Sequence, residues 1–357
     1  ESILHPNSII VPVAINVSEK IGNTNGKKFL TSVVAGYEVS TRIGSAAGTE
    51  LLLRGFHPQG THGTIAAAIT AGKLMNFNTK QMTNAIGIAG SLGAGLMAAQ
   101  EGAMVKRLHS GRAAQAGVLA AELSAKNFTG IQNIVEANYG GFLSSFSGKN
   151  DFARSTRNLF KEWECINTGI KPYASVTSIH SALDCLKNIM EKNNILAKDI
   201  KNIKAKISHP TYVHCAWNYK NHNITSAQMN IYYGLALIAL EGELFVNQFS
   251  KDKISSPEIL NFMKKITAEV DPKIEKLGHK FRHMASVEVV TKDNKKYSHT
   301  EKYRKGSPEN PLTKGQILSK FKSLAAYALD DEKIEILRDK IESIELSNSV
   351  NSWLNTN

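Results

Sequence analysis

Aspartate is absent from the first 150 residues of this 357-residue chain, cysteine is scarce, and no long apolar run occurs anywhere. Each absence excludes something. The three cysteines, Cys165, Cys185 and Cys215, lie 20 and 30 residues apart and form no C-x-x-C pair. That spacing argues against a zinc ribbon and against an iron–sulfur cluster on a compact cysteine run. So sparse and odd a count gives no disulfide framework and fits a reducing compartment, so a cytoplasmic location is expected. The longest candidate membrane stretch, Ser91 to Ala99, is short and Gly/Ala-rich, well under the ~20 apolar residues a bilayer span needs. No charged-then-apolar leader opens the chain, so no secretory signal is expected.

What is present fits a globular chain of about two domains: 42% apolar and 21% charged residues. The formal charge is +12, from 43 Lys and Arg against 31 Asp and Glu. Residues 1–150 hold 12 basic and 7 acidic side chains, the remainder 31 and 24. A charge so evenly spread suits small anionic substrates better than a nucleic-acid or membrane partner, and neither of those is expected.

Composition changes near residue 150, since 20 of the 26 glycines precede it together with long Ala-rich runs. Gly costs up to about 1 kcal/mol against Ala inside a helix, so repeated Gly there implies close helix packing. Thr64–Met75, Met82–Gln100 and Ala113–Ala125 are therefore predicted as buried helices, with Thr79 and Ser110 as N-caps of the second and third. Pro12 suits the first turn of an opening helix capped near Asn7 or Ser8.

Beyond, Ile203, Ala205 and Ile207 alternate with polar residues, as do Val287 and Val289, and Lys292–Lys295 supplies a turn to a return strand. His180–Glu191, Ala227–Glu241 and 257–268 carry helical patterns, and helices resume over Ile317–Ala328 and Glu332–Ile344. The last ten residues, rich in Asn and Ser, are expected to fray.

Three segments concentrate polar side chains in small or apolar surroundings. Gly55-Phe56-His57-Pro58-Gln59-Gly60-Thr61-His62-Gly63 precedes a helix whose N-terminal N–H groups could meet an anion. The same residues would equally suit a tight loop whose histidines only fill space. Lys106-Arg107-Leu108-His109-Ser110-Gly111-Arg112 offers carboxylate-binding cations at a helix start, or a solvated turn. Lys171-Pro172-Tyr173 is followed by His180 and Asp184, four apart on one helix face, where Asp184 could orient the imidazole.

Together with Gly36-Tyr37-Glu38-Val39…Arg42-Ile43-Gly44 and Phe128-Thr129-Gly130, these phrases occur in an order that resembles the MmgE/PrpD family. That family includes 2-methylcitrate dehydratase, cis-aconitate decarboxylase and iminodisuccinate epimerase. The resemblance runs from residue 5 to at least 245 and more faintly to the C-terminus.

It implies a mainly α fold: a large all-helical domain from both chain ends (1–169 and 317–357) with an inserted smaller α+β lid (170–316). It further implies a homodimer, a site in the cleft between domains and chemistry without metal or cofactor. Matched one position at a time, His5, His57, His180 and Tyr233 (with Tyr232 beside it) become catalytic candidates. Lys106 and Lys171 become carboxylate anchors, with Arg107 and His109 beside the first.

Two departures stand out. Family members carry an Asp-rich, His-containing segment upstream, which this chain is expected to lack. Ala174-Ser175-Val176 also stands where relatives often place Pro or Cys.

The resemblance implies a lyase acting on a small di- or tricarboxylate, first by 2-methylcitrate-type dehydration. Decarboxylation or epimerisation on the same scaffold is the enzymatic alternative, and a catalytically dead paralogue or fragment the non-enzymatic one. Each of the three reactions builds negative charge beside a carboxylate, which cations stabilise while a histidine near neutrality moves the proton.

Overall fold

Small residues set the architecture of the first half. In the computed structural model, which describes residues 2–148, 151–219 and 223–351, five long helices come first. They are α1 (Asn7–Ile21), α2 (Gly26–Leu53), α3 (Gly63–Leu74), α4 (Thr79–Ser91) and α5 (Val105–Ala125). Almost every residue of α3 is buried, because its Ala, Gly and Thr side chains let α1, α2, α4 and α5 pack around it. A close approach falls at Gly117 of α5, where a Cβ would lie 2.3 Å from Ala67 Cβ and 2.5 Å from the Thr64 carbonyl. Only glycine fits there.

The helix ends correct several sequence expectations. α4 is capped by Asn78 and not Thr79, in a reciprocal capping box with Gln81. It stops at Ser91; a turn and an irregular stretch follow and bond the loop at 55–60, and Met97–Glu101 is a separate 3₁₀ turn, so the α-helix does not continue to Gln100. α5 begins at Val105, so Ser110 is an interior residue and Lys106 and Arg107 stand in the first turn. Pro12 lies inside α1, five residues past its start.

By its contacts the chain divides into two compact units: Glu1–Ala99 with Met104–Asn167 and Phe321–Asn357, and Gln100–Ala103 with Thr168–Lys320. In the first, the returning C-terminal segment meets the start of α2, with Gly26 N donating to Ser347 O at 2.8 Å and Val350 N to Thr24 O at 2.8 Å. A buried ion pair, Arg42 to Glu38 at 2.6 Å, ties α2 to the 157–165 segment through the carbonyls of Arg157 and Glu162 and the Cys165 N–H.

The second unit holds one four-stranded sheet, ordered β2-β1-β3-β4. Its strands are β1 (Ile200–Ile207), β2 (Ile266–Val270), β3 (Ala285–Thr291) and β4 (Lys296–Glu301). β1 runs parallel to β2 and antiparallel to β3, and β3 and β4 form the hairpin expected around 292–295. Ile203, Ala205, Ile207, Val287 and Val289 face one apolar core with helices His180–Asn193 and Ile231–Glu241.

Two expected helices are cut by tertiary context. The helix predicted over 257–268 ends at Met263, because Ile266 and Val270 pair as β2 along β1. Ala227–Glu241 breaks at Asn230, whose side chain caps the next helix by accepting from Tyr232 N and Tyr233 N.

Helix, 3₁₀ turns included, makes up 58% of the described residues, a mainly α chain with a small sheet. Among the described residues no helix is long and apolar enough to cross a membrane. The frayed end expected for the last ten residues falls largely on 352–357, outside the described residues.

Candidate active site

In the first unit, the loop leaving α2 is laced to residues 94–97. Met97 N donates to Gly55 O at 2.8 Å, His57 N to Gly95 O at 3.0 Å, and Ala94 N to Gly60 O at 2.9 Å. A Cβ on Gly60 would sit 1.9 Å from the Ala94 carbonyl, so glycine is what allows this approach. The lacing turns His57 toward α5. There its Nδ1 lies 2.8 Å from Nδ1 of His109, with ring centroids 5.0 Å apart and planes at 54°. His57 is buried and His109 half-buried, and the ring of His109 rests 3.3 Å from the Cβ position of Gly95. Burial, then the neighbouring Lys106 ammonium, holds His109 below the ordinary histidine range.

Gln59 ties this pair to the N-terminal segment. Its Oε1 accepts from His5 N at 2.6 Å, and its Nε2 donates to Ser8 Oγ at 2.8 Å, Ser110 Oγ at 3.0 Å and His5 O at 3.3 Å. His5 thus enters through its backbone, with its side chain exposed. Lys106 is half-buried and Arg107 exposed, both in the first turn of α5.

Gln59 was not among the sequence-derived candidates. The available signal was a polar residue flanked by Pro58 and Gly60 in a loop with a fixed backbone. His62, from the same loop, is fully buried against Phe142, and burial pushes its imidazole down to about 4.

The second unit gathers another group. Its 170–176 segment is fixed by Ile170 N to Gly306 O at 2.7 Å, Ala174 N to Leu244 O at 3.0 Å and Val176 N to Gln228 O at 2.9 Å. Lys171 Nζ donates to Ser175 O at 3.3 Å, and Lys320 Nζ to Lys171 O at 2.8 Å. His180 opens its helix wholly buried, with Tyr173 packed edge-on at 5.1 Å. Burial, followed by the charges of Lys171, Arg304 and Lys320, drives His180 well below the ordinary range, although the Ser175 backbone gives the protonated ring some support. Neither ring nitrogen reaches hydrogen-bond geometry with a described residue.

Asp184 does not orient His180, as its helical spacing had suggested. It accepts from the Tyr173 hydroxyl at 2.7 Å and from Lys305 N at 2.9 Å. Tyr233 is fully buried and its hydroxyl donates to Gln248 O at 2.7 Å, while that of Tyr232 donates to Ala216 O at 3.1 Å. Burial raises both phenols above the ordinary tyrosine range. Both hydroxyls are engaged by main chain.

The structure thus brings His57, His109, Lys106, Arg107 and the His5 backbone into one neighbourhood of the first unit. It gathers Lys171 and His180 in the second, with Arg304 and Lys320 added to them. Among the described residues no three His, Cys, Asp or Glu side chains converge as metal ligands would. Chemically, the first group offers coupled imidazoles beside a cation, and the second offers several cations around a neutral imidazole.

The profile of the MmgE/PrpD N-terminal domain matches residues 1–155, and that of the MmgE/PrpD C-terminal domain residues 173–343. A cis-aconitate decarboxylase-like protein, oryM, of Aspergillus oryzae is 29% identical, covering 98% of this chain and 76% of its own length. Cis-aconitate decarboxylase of Aspergillus terreus is 28% identical over 97% of this chain and 74% of its own. The human protein of that name is 24% identical over 96% and 72%.

Proposed function

Since the chain belongs to the MmgE/PrpD family, we propose that it is a lyase that removes carbon dioxide from a small unsaturated tricarboxylate of the cis-aconitate type. Family and relatives support a lyase at the coarse level. The relatives' names favour decarboxylation over the 2-methylcitrate-type dehydration expected first from the sequence. The observation that carries the reading is the His57–His109 contact at 2.8 Å with Lys106 one turn away on α5, an arrangement able to hold a carboxylate and deliver a proton beside it.

In such a reaction the carbon–carboxylate bond breaks and its electron pair is left delocalised into the neighbouring unsaturated carboxylate. A cation lowers the energy of that charge, and a histidine delivers the proton that quenches the carbanion. Lys106 fills the first role in this proposal and His57 the second. Lys171 keeps the carboxylate-binding role that the family resemblance implies, Arg304 and Lys320 add positive charge around it, and His180 stands among these cations. A buried, main-chain-bonded phenol such as Tyr233 serves a structural part here more readily than a proton-transfer one.

Incubating the purified chain with cis-aconitate, 2-methylcitrate and iminodisuccinate in heavy water tests the proposal. Release of carbon dioxide with one solvent deuteron in the product is the expected result. Water loss alone would restore the dehydratase, and deuterium at the α-carbon without loss of either would indicate epimerisation. His57→Ala is expected to lower turnover by about 10²-fold or more with unchanged thermal unfolding; near-normal turnover removes His57 from the mechanism.

A further inference from the structure

We propose that His57 and His109 form a single-proton couple, in which the tautomer of one ring dictates that of the other and His109 relays the proton that His57 exchanges. The use made of that proton rests on the lyase reading above; the coupling itself does not.

Nδ1 of one ring faces Nδ1 of the other at 2.8 Å, a distance that requires a hydrogen bond and therefore one shared proton. A neutral imidazole is a donor at one nitrogen and an acceptor at the other. The ring that donates from Nδ1 is therefore bare at Nε2, while the ring that accepts at Nδ1 carries its proton on Nε2. The couple thus presents one basic and one acidic Nε2, something two separate histidines would do only by chance.

A transfer through the couple balances. The bare Nε2 takes a proton and its ring becomes an imidazolium. That ring's Nδ1 proton crosses to the facing Nδ1, and the second ring releases the proton from its own Nε2. One proton enters, one leaves, and the couple ends in the mirror pair of tautomers. Two imidazolium rings would set N–H against N–H, so the couple holds at most one positive charge. Decarboxylation needs one proton delivered to carbon; dehydration needs one removed and one delivered, so the couple suits either.

The surroundings hold the geometry. His57 N is bonded to Gly95 O, and Gly95 lies under the His109 ring. Gln59 grips Ser110, the residue after His109, and through Ser8 and His5 secures the same patch from the N-terminal side. Burial, then the Lys106 charge, lowers the basicity of His109, which favours the neutral ring from which it can accept a proton. His109 is a relay and positioning residue in this scheme.

The test uses the full chain labelled with 15N at histidine, without substrate, at neutral pH. Long-range proton–nitrogen spectra, assigned with His57→Gln and His109→Gln, report the tautomer of each ring. The expected result is opposite tautomers for His57 and His109, with a low-field proton shared between their Nδ1 atoms and lost in either variant. The same Nε2–H tautomer in both rings, or a His57 spectrum unchanged by His109→Gln, overturns the couple. His109→Asn keeps a hydrogen-bonding group near the Nδ1 position but cannot carry the proton onward. With a substrate that is turned over, it is expected to lower kcat by about 10²-fold with KM little changed, and full kcat overturns the relay. If no polycarboxylate is turned over, the lyase reading fails while the spectra still decide the couple.

Discussion

The hydroxyl of Tyr173 donates at 2.7 Å to Oδ1 of Asp184, which lies in the second turn of the helix His180–Asn193. Its ring meanwhile covers the edge of His180. Tyr173→Phe keeps the ring and removes the bond, leaving Asp184 with the Lys305 N–H. A hydrogen bond to a charged group contributes about 1.5–3 kcal/mol, so the variant is expected to unfold at clearly lower urea. An unchanged midpoint would show that water replaces the hydroxyl without cost.

His62 sets a pH dependence. Its folded value of about 4 lies below the ordinary 6.5, so the unfolded chain binds more protons between the two. Stability from this group is fully present above about pH 6.5 and is lost as pH falls through about 4. The loss amounts to about 3 kcal/mol at most. His62→Gln removes the titration, and its melting temperature is expected to fall less steeply over that window than that of the parent chain. Parallel curves would place the acid sensitivity elsewhere.

Gly117 opposes two effects of known size. Alanine in a helix interior gains about 1 kcal/mol over glycine, whereas overpacking costs about 1–3 kcal/mol. With a Cβ 2.3 Å from Ala67 Cβ and 2.5 Å from a backbone carbonyl, overpacking wins. Gly117→Ala is expected to destabilise the chain in chemical unfolding. A stabilised variant would mean that α3 and α5 separate without penalty.

Lys106→Met removes one of the two causes that depress His109. The imidazole is expected to titrate higher while staying below the ordinary range, since burial remains. If Lys106 also anchors a carboxylate, KM for the polycarboxylate rises tenfold or more, on the order of 1.4 kcal/mol or above, with a smaller change in kcat. A shifted titration with unaltered KM would limit Lys106 to an electrostatic neighbour.

Gln59→Leu leaves the His5 N–H without its acceptor and both serine hydroxyls without their amide donor. These bonds are only partly buried, so each contributes about 0.5–1.5 kcal/mol. Faster amide exchange is expected at the start of α1 and in the first turn of α5. Exchange raised only inside the 57–62 loop would confine the role of Gln59 to that loop.

Sequence alone determined what depends on neighbours along the chain. The run of Gly and Ala demanded close-packed helices, the alternation at 203–207 and 287–289 demanded strands with one buried face, and the ordered motifs pointed to the family. Both periodicities follow from backbone geometry, so they survive whatever the distant contacts are. Only the tertiary structure decided where those patterns stop. Asn230 ends one apolar helix by capping the next, and β1 captures Ile266–Val270 as a strand from what read as a helix. The pairing of His57 with His109, 52 residues on, and the four-way grip of Gln59 were equally hidden. Hydrogen bonds between residues so far apart are fixed by how helices pack, which leaves no period in the sequence to find.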